Sequence, residues 1–259
     1  MAAKSTESHD LYWQRGVAGP EPSRKRLFLF PFAGGSARLF HGWAECFRRA
    51  GADAVELCAL QLPGRDERHR EPALKSMESV VAAVVDALRP LMDLPCAFFG
   101  YSLGGLIAFE TARRLRSLGL PQPRRLIVAA SPAPQYDHAR SPLIHRLSHD
   151  DFIAELRRFK GTPEVVLQTP ELLELLLPVL RADFEVLETY QCRAEPPLAV
   201  PLTALGGLSD DEVSPESLAD WSLQTSAGFQ MQFFAGDHFF VKTHQSQLVE
   251  LLARELQSV

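Results

Sequence analysis

Six short apolar runs, separated by longer mixed stretches, constrain the fold of this chain most strongly. Most of the runs have Gly, Pro or a charged residue at one or both ends, as buried strands do. The runs cover residues 27–30, 54–60, 96–99, 126–130, 202–205 and 231–234. Between some of them, apolar residues recur every three or four positions, as in the amphipathic helices expected over 77–91 and 103–115. Strands that alternate with helices predict an α/β protein with a mainly parallel central sheet covered by helices.

The alternation is interrupted between residues 131 and 201, where no convincing strand occurs. Ser148 begins a sequence that resembles a capping box, which predicts a helix through Phe159. The pair Thr169-Pro170 predicts a second helix start. The run 172–177 is too apolar for a surface helix, and we expect Pro178 to kink that helix or start another. Because this stretch lies between two strands, we interpret it as a helical lid that covers an apolar pocket. The alternative is that its leucines are an ordinary part of the core.

Composition excludes several other classes of protein. The 259 residues are enough to bury one large core without disulfides or a structural metal. The four cysteines are widely spaced and form no CxxC pair, which argues against a zinc ribbon and a secreted disulfide framework. Residues 1–25 are polar and contain no signal peptide or membrane span, so we predict a mobile leader on a cytoplasmic protein.

The net charge of −5 argues against a generic nucleic-acid-binding protein. The charge is unevenly distributed, however. Residues 1–130 carry 18 Lys and Arg against 13 Asp and Glu, whereas residues 131–259 carry 9 against 19. This pattern is typical of two solvated faces of opposite charge, but it also allows an acidic partner to dock on the basic side.

A candidate nucleophile, Ser102, lies in the sequence Gly-Tyr-Ser-Leu-Gly at the end of the third apolar run. The G-x-S-x-G pattern alone is common, but its position between a strand and a helix is informative. A serine on such a sharp turn adopts a strained backbone, and the flanking glycines let neighbouring segments approach closely. This geometry exposes the hydroxyl at the carboxyl edge of the sheet.

A serine hydroxyl needs a neighbouring base and an orienting carboxylate. Among eight histidines, His238 directly follows the last predicted strand, where a loop would carry its imidazole above the same edge. Asp210 follows the preceding strand in a G-x-x-D arrangement, and we favour it over its neighbours Asp211 and Glu212. The order Ser102, Asp210, His238 is that of a hydrolase triad.

Acyl transfer also needs two donors for the oxyanion. The backbone N–H of Leu103, next to the nucleophile and near a helix N-terminus, is one candidate. The other is expected in the loop after the first apolar run, whose sequence Pro-Phe-Ala-Gly-Gly-Ser permits close backbone approach. We select the N–H of Ala33, with Phe32 and Gly34 as alternatives.

These motifs together resemble those of one family, the type II thioesterases of polyketide and nonribosomal peptide synthesis. The similar stretches are LFPFAGGS, LPGR, GYSLGG, LGGLSDDEVSP and FFAGDHFF, in that order. The resemblance implies an α/β-hydrolase fold with Ser102, Asp210 and His238 as the triad and Ala33 with Leu103 as the oxyanion hole. It also implies a core formed by residues 26–140 and 191–259, with residues 141–190 as a helical lid.

The family further implies the reaction: hydrolysis of acyl thioesters on the phosphopantetheine arm of an acyl or peptidyl carrier protein, which frees a stalled synthase. No metal or other cofactor is expected, and we expect a monomer with no nucleic-acid or membrane partner. A carboxylesterase or lipase acting on free esters is the first alternative. A catalytically silent module that binds a synthase is the second, and an acyltransferase is less favoured. Candidate docking residues for an acidic carrier are Arg65, Arg68 and Arg70, or Arg113, Arg114 and Arg116.

Overall fold

A seven-stranded sheet forms the centre of the computed structural model, which describes residues 12–19, 22, 24–139 and 141–259. Its strand order is β1-β3-β2-β4-β5-β6-β7, and only β1 runs antiparallel to its neighbour. The strands are β1 (Trp13–Val17), β2 (Lys25–Phe30), β3 (Val55–Leu60), β4 (Cys96–Tyr101), β5 (Arg125–Ala129), β6 (Leu202–Gly207) and β7 (Phe229–Phe234). The six predicted apolar runs correspond to β2–β7.

Helices cover both faces of this sheet. They are α1 (Trp43–Arg49), α2 (Met77–Leu88), α3 (Leu103–Ser117), α4 (His149–Phe159), α5 (Glu164–Leu167), α6 (Pro170–Glu188), α7 (Pro215–Ala219), α8 (Phe240–Thr243) and α9 (Gln245–Glu255). Adjacent residues of β4 belong to two different cores: Phe98 packs in the cluster that includes α2 and α3, and Phe99 in the one that includes α1 and α9. Burial on both faces explains why the inner strands β2–β6 are largely apolar. The sixth run differs from the expectation of a buried strand: β7 is an edge strand, and Met231 is 41% exposed.

The prediction of a mobile leader over residues 1–25 is wrong for residues 13–17, which form strand β1. Trp13–Val17 pairs with β3, and the Trp13 ring is buried against Phe28 with ring centroids 4.9 Å apart. Only one residue of this edge strand is fully buried, so its sequence lacks the apolar run that marks the other strands. Residues 1–11 of the predicted leader lie outside the described residues.

The insertion between β5 and β6 contains helices α4, α5 and α6 and has a small apolar core of its own. Both predicted helix starts, at Ser148 and Thr169, are confirmed. Helix α6 continues through Pro178 to Glu188, so Pro178 does not start a new helix. Within the described residues, no helix has the length and apolarity needed to cross a membrane.

The prediction that the apolar run 172–177 is too apolar for a surface helix is wrong. Leu172 and Leu175 are 46% and 63% exposed, whereas Leu173 and Leu177 are each 7% exposed. The run therefore has two sides: one packs into the core of the insertion, and the other faces outward.

Candidate active site

Ser102 occupies the turn that joins β4 to α3. Its backbone has φ 54° and ψ −120°, and positive φ is unfavourable for a residue with a β-carbon. The Ser102 N–H donates to the carbonyl of Ala129 on the neighbouring strand at 2.8 Å, which fixes the turn against β5. The strained turn predicted from the G-x-S-x-G pattern is thus present.

Both glycines of this pattern lie so close to other backbone atoms that there is no space for a side chain. A β-carbon on Gly100 would lie 2.2 Å from the carbonyl oxygen of Gly104, and one on Gly104 would lie 2.1 Å from that of Phe30. Atoms at these distances overlap, and backbone atoms cannot move aside as a flexible side chain can. The absence of β-carbons therefore lets α3 begin directly against β4 and β2.

The structure brings together the three predicted triad residues. His238 Nε2 lies 3.1 Å from Ser102 Oγ, and His238 Nδ1 lies 2.9 Å from Asp210 Oδ2. The other carboxylate oxygen of Asp210 accepts hydrogen bonds from the N–H groups of Glu212 and Val213, at 2.8 and 3.2 Å. The Asp210 side chain is fully buried, so these three bonds hold both carboxylate oxygens in place.

The two alternatives to Asp210 point elsewhere. Asp211 is exposed, and the carboxylate of Glu212 forms an ion pair with Arg158 of α4 at 3.1 Å. The geometry therefore supports the G-x-x-D selection that the sequence favours.

The predicted oxyanion donors lie at the same edge of the sheet. Ala33 and Leu103 both line the cavity that contains Ser102 and His238. Within the described part of the chain, neither backbone N–H has a hydrogen-bond acceptor. The N–H of Gly34, one of the alternatives, instead donates to the Asp183 carboxylate at 2.6 Å. Gly34 is therefore not free to bind an oxyanion in this conformation, whereas Ala33 is.

A cavity of about 540 Å³ extends from Ser102 between the sheet and the insertion. Much of its wall is aliphatic or aromatic, with contributions from α3, the insertion helices and the loop before α4. Side chains that make up this apolar wall include Leu106, Ile144, Leu156, Leu176, Phe184 and Leu187. This volume lies in the range typical of small-molecule sites, and its lining suits an apolar chain.

Lys242 is a cavity residue that the sequence analysis missed. Its ammonium lies 4.7 Å from the ring centroid of Phe239 and 5.2 Å from that of Phe32. Partial burial lowers the pKa of Lys242. Among the described residues that line the cavity, it is the only Lys or Arg. Its position four residues after His238 is the signal that the sequence offers.

The prediction that Arg65, Arg68 and Arg113 form a docking surface is wrong. Arg65, Arg68 and Arg113 have side chains only 7%, 5% and 5% exposed, and each forms an ion pair with a carboxylate. Arg116 also pairs with Glu195, which leaves Arg70 and Arg114 as the exposed members of the two groups. A cluster of arginines in the sequence does not show which of them are exposed to solvent and which form buried ion pairs.

Comparison with known proteins decides the family. A family model described as a thioesterase domain matches residues 25–256. The chain belongs to the thioesterase family. It is 39% identical over 237 residues to the gramicidin S biosynthesis protein GrsT of Aneurinibacillus migulanus, covering 92% of this chain and 91% of that protein.

Solved structures show the same relationship. RedJ, a thioesterase from the prodiginine pathway of Streptomyces coelicolor, superposes with a TM-score of 0.83 at 35% identity, over 93% of this chain and 91% of RedJ. The type II thioesterase BorB from the borrelidin biosynthetic cluster gives 0.81 at 31% identity, over 96% and 97% of the two chains. These matches confirm the predicted α/β-hydrolase fold, the resemblance to type II thioesterases and the enzyme class, a serine hydrolase.

Proposed function

We propose that this thioesterase releases acyl groups from the phosphopantetheine arm of an acyl or peptidyl carrier protein and so clears a stalled synthase. The observation that carries the proposal is the hydrogen-bonded series Ser102–His238–Asp210 opening onto an apolar cavity. The biosynthetic roles named for GrsT and RedJ support a carrier-bound substrate.

The triad geometry supports an acyl-enzyme mechanism. His238 Nε2, 3.1 Å from Ser102 Oγ, accepts the hydroxyl proton as the oxygen attacks the thioester carbonyl. The tetrahedral intermediate collapses, and His238 returns the proton to the departing pantetheine sulfur. Water then attacks the acyl-enzyme by the same route, which releases the free acid and restores Ser102.

Asp210 and the two backbone donors stabilise the charges that develop. Asp210 holds the proton on Nδ1 of His238 and stabilises the imidazolium, but it does not take the proton. The N–H groups of Ala33 and Leu103 bind the oxyanion, and the N-terminus of α3 adds favourable electrostatic potential there. Each such donor contributes about 10²- to 10³-fold to kcat in related chemistry.

Residues 141–190 act as a lid in this account. Helices α4 and α6 pack on each other through their own apolar cluster, which allows them to move together. Because Leu156 of α4 and Leu176 and Phe184 of α6 line the cavity, displacement of these helices would open it to an acyl chain. We place the reaction in the reducing cytoplasm, consistent with four free cysteines, and expect the enzyme to act as a monomer.

The main alternative is an esterase, since the same triad cleaves oxygen esters. One acyl group should be presented in three forms: on a holo carrier protein, on free pantetheine as a thioester, and as a simple alcohol ester. We expect kcat/KM to be highest for the carrier and lowest for the alcohol ester. A higher kcat/KM for the alcohol ester than for both thioesters would contradict the proposed substrate.

A further inference from the structure

A buried carboxylate on helix α6 contacts the loop that carries one oxyanion donor. Asp183 has a side chain only 4% exposed, and its Oδ2 accepts a hydrogen bond from the N–H of Gly34 at 2.6 Å. Gly34 directly follows Ala33, the proposed donor. A residue of the insertion therefore bonds to the backbone immediately next to the oxyanion hole.

Arg65, in the loop after β3, binds both Asp183 and the same turn. Its guanidinium pairs with both carboxylate oxygens of Asp183, with Nη1–Oδ2 at 3.0 Å and Nη2–Oδ1 at 2.9 Å. The same Nη1 donates to the carbonyl of Gly35 at 2.8 Å. Asp183 and Arg65 thus bind an N–H and a carbonyl of two successive residues, and their opposite charges strengthen each bond.

The local backbone is shaped to allow this contact. Gly34 has φ +75°, and the N–H of Gly35 donates back to the carbonyl of Phe32 at 2.8 Å, which closes a tight turn. A β-carbon on Gly34 would lie 2.3 Å from a methyl carbon of Leu180, one turn before Asp183 on α6. Helix α6 therefore rests directly on the turn and bonds to it.

We propose that Asp183 and Arg65 are positioning residues for the oxyanion hole, and that the Ala33 N–H keeps its catalytic orientation only while α6 rests on the core. The inference depends on the proposed role of Ala33. An oxyanion donor is effective because it is aligned before the charge develops, and the 32–35 turn sets that alignment. Opening the lid would release the Gly34 N–H, so acyl transfer would be efficient only in the closed enzyme.

The decisive variant is Asp183→Asn, compared with Glu185→Gln as a matched control. Glu185 lies on the same helix and pairs with Lys75 at 3.8 Å, and among the described residues no hydrogen bond or ion pair joins it to the 32–35 turn. On a small acyl-pantetheine thioester, we expect Asp183→Asn to lower kcat about 10- to 100-fold with little change in KM, since part of one donor's contribution is lost. Glu185→Gln should keep both constants within about two-fold, as expected for an ion pair whose lysine is mostly exposed.

A second measurement separates positioning from general loosening of the lid. A trifluoromethyl ketone that adds to Ser102 forms an oxyanion, so its affinity should fall by the same factor as kcat/KM in Asp183→Asn. If the single variant fails to fold because the Arg65 charge is left buried and unpaired, Arg65→Gln combined with Asp183→Asn removes both charges and is used instead.

Unchanged kcat and inhibitor affinity in the Asp183 variant would overturn the inference, as would an equal loss in Glu185→Gln. The comparison requires only a substrate that the wild-type enzyme hydrolyses. If the carrier-bound substrate were assigned incorrectly, the wild-type enzyme would rank the three substrate forms differently. The ratio of kcat between Asp183→Asn and wild type would stay the same.

Discussion

At the residue scale, the environment of Asp210 explains how one carboxylate can orient the histidine. Two backbone N–H groups bind its Oδ1, which leaves Oδ2 directed at His238 Nδ1. The neighbouring Asp211 is exposed to solvent. Two adjacent aspartates therefore have different expected roles for a reason that only the fold reveals.

Asp210→Asn tests this difference. The amide would favour the wrong imidazole tautomer, and we expect kcat to fall by about 10⁴-fold with a small change in KM. Steady-state kinetics on an acyl-pantetheine thioester measures both constants. Asp211→Asn is the control and should remain within about two-fold of wild type, as is usual for surface substitutions. A comparable loss in both variants would contradict the assignment of Asp210.

Much of the site could be predicted at this scale, because Ser102, Asp210 and His238 each follow a recognisable strand. The Arg65–Asp183 pair could not, because its members are 118 residues apart and Asp183 belongs to none of the recognised motifs. Gly34 likewise could not be set aside as an oxyanion donor until its bond to Asp183 was visible. Sequence motifs reveal the position of a group, whereas its hydrogen-bond partner depends on the fold.

At the scale of elements, the junction of β4 and α3 has no room for added volume at its glycines. The β-carbon in Gly104→Ala would meet the Phe30 carbonyl oxygen at 2.1 Å. Alanine favours a helix over glycine by about 1 kcal/mol, but overpacking costs about 1–3 kcal/mol and an overlap with backbone belongs at the upper end. We expect the free energy of unfolding to decrease by about 1–2 kcal/mol, measured by urea denaturation.

Gly16→Ala provides the control for that measurement. Its β-carbon would make an ordinary contact, 3.8 Å from that of Ala44, so the free energy of unfolding should stay within about 0.5 kcal/mol of wild type. If Gly104→Ala were as stable as Gly16→Ala, close packing would not explain the glycine at position 104.

The elements that the sequence missed share a physical cause. Strand β1 buries mainly Trp13, because an edge strand with one solvated face needs no continuous apolar run. Helix α6 has leucines on its outer side and a proline within it, both of which normally argue against a long surface helix. In both elements, packing against neighbours overrides the local preference.

At the scale of the whole molecule, the charge asymmetry along the chain has an internal explanation. Basic residues of the first half pair with acidic residues of the second in the ion pairs Arg65–Asp183, Arg113–Glu195 and Arg125–Glu255. Part of the charge contrast between the halves is therefore neutralised within the fold, by ion pairs that join residues 1–130 to later segments. The exposed Arg70 and Arg114 are what remain of the two predicted docking groups.

The most direct test of the central claim follows the mass of a carrier protein. An acyl-loaded carrier is incubated with the enzyme, and intact-mass spectrometry records the acylated and free-thiol forms over time. We predict conversion to the free-thiol pantetheine form, with the rate reduced on the order of 10⁴- to 10⁶-fold by Ser102→Ala. A carrier mass that stays unchanged with the wild-type enzyme, or that falls equally fast with Ser102→Ala, would contradict the account.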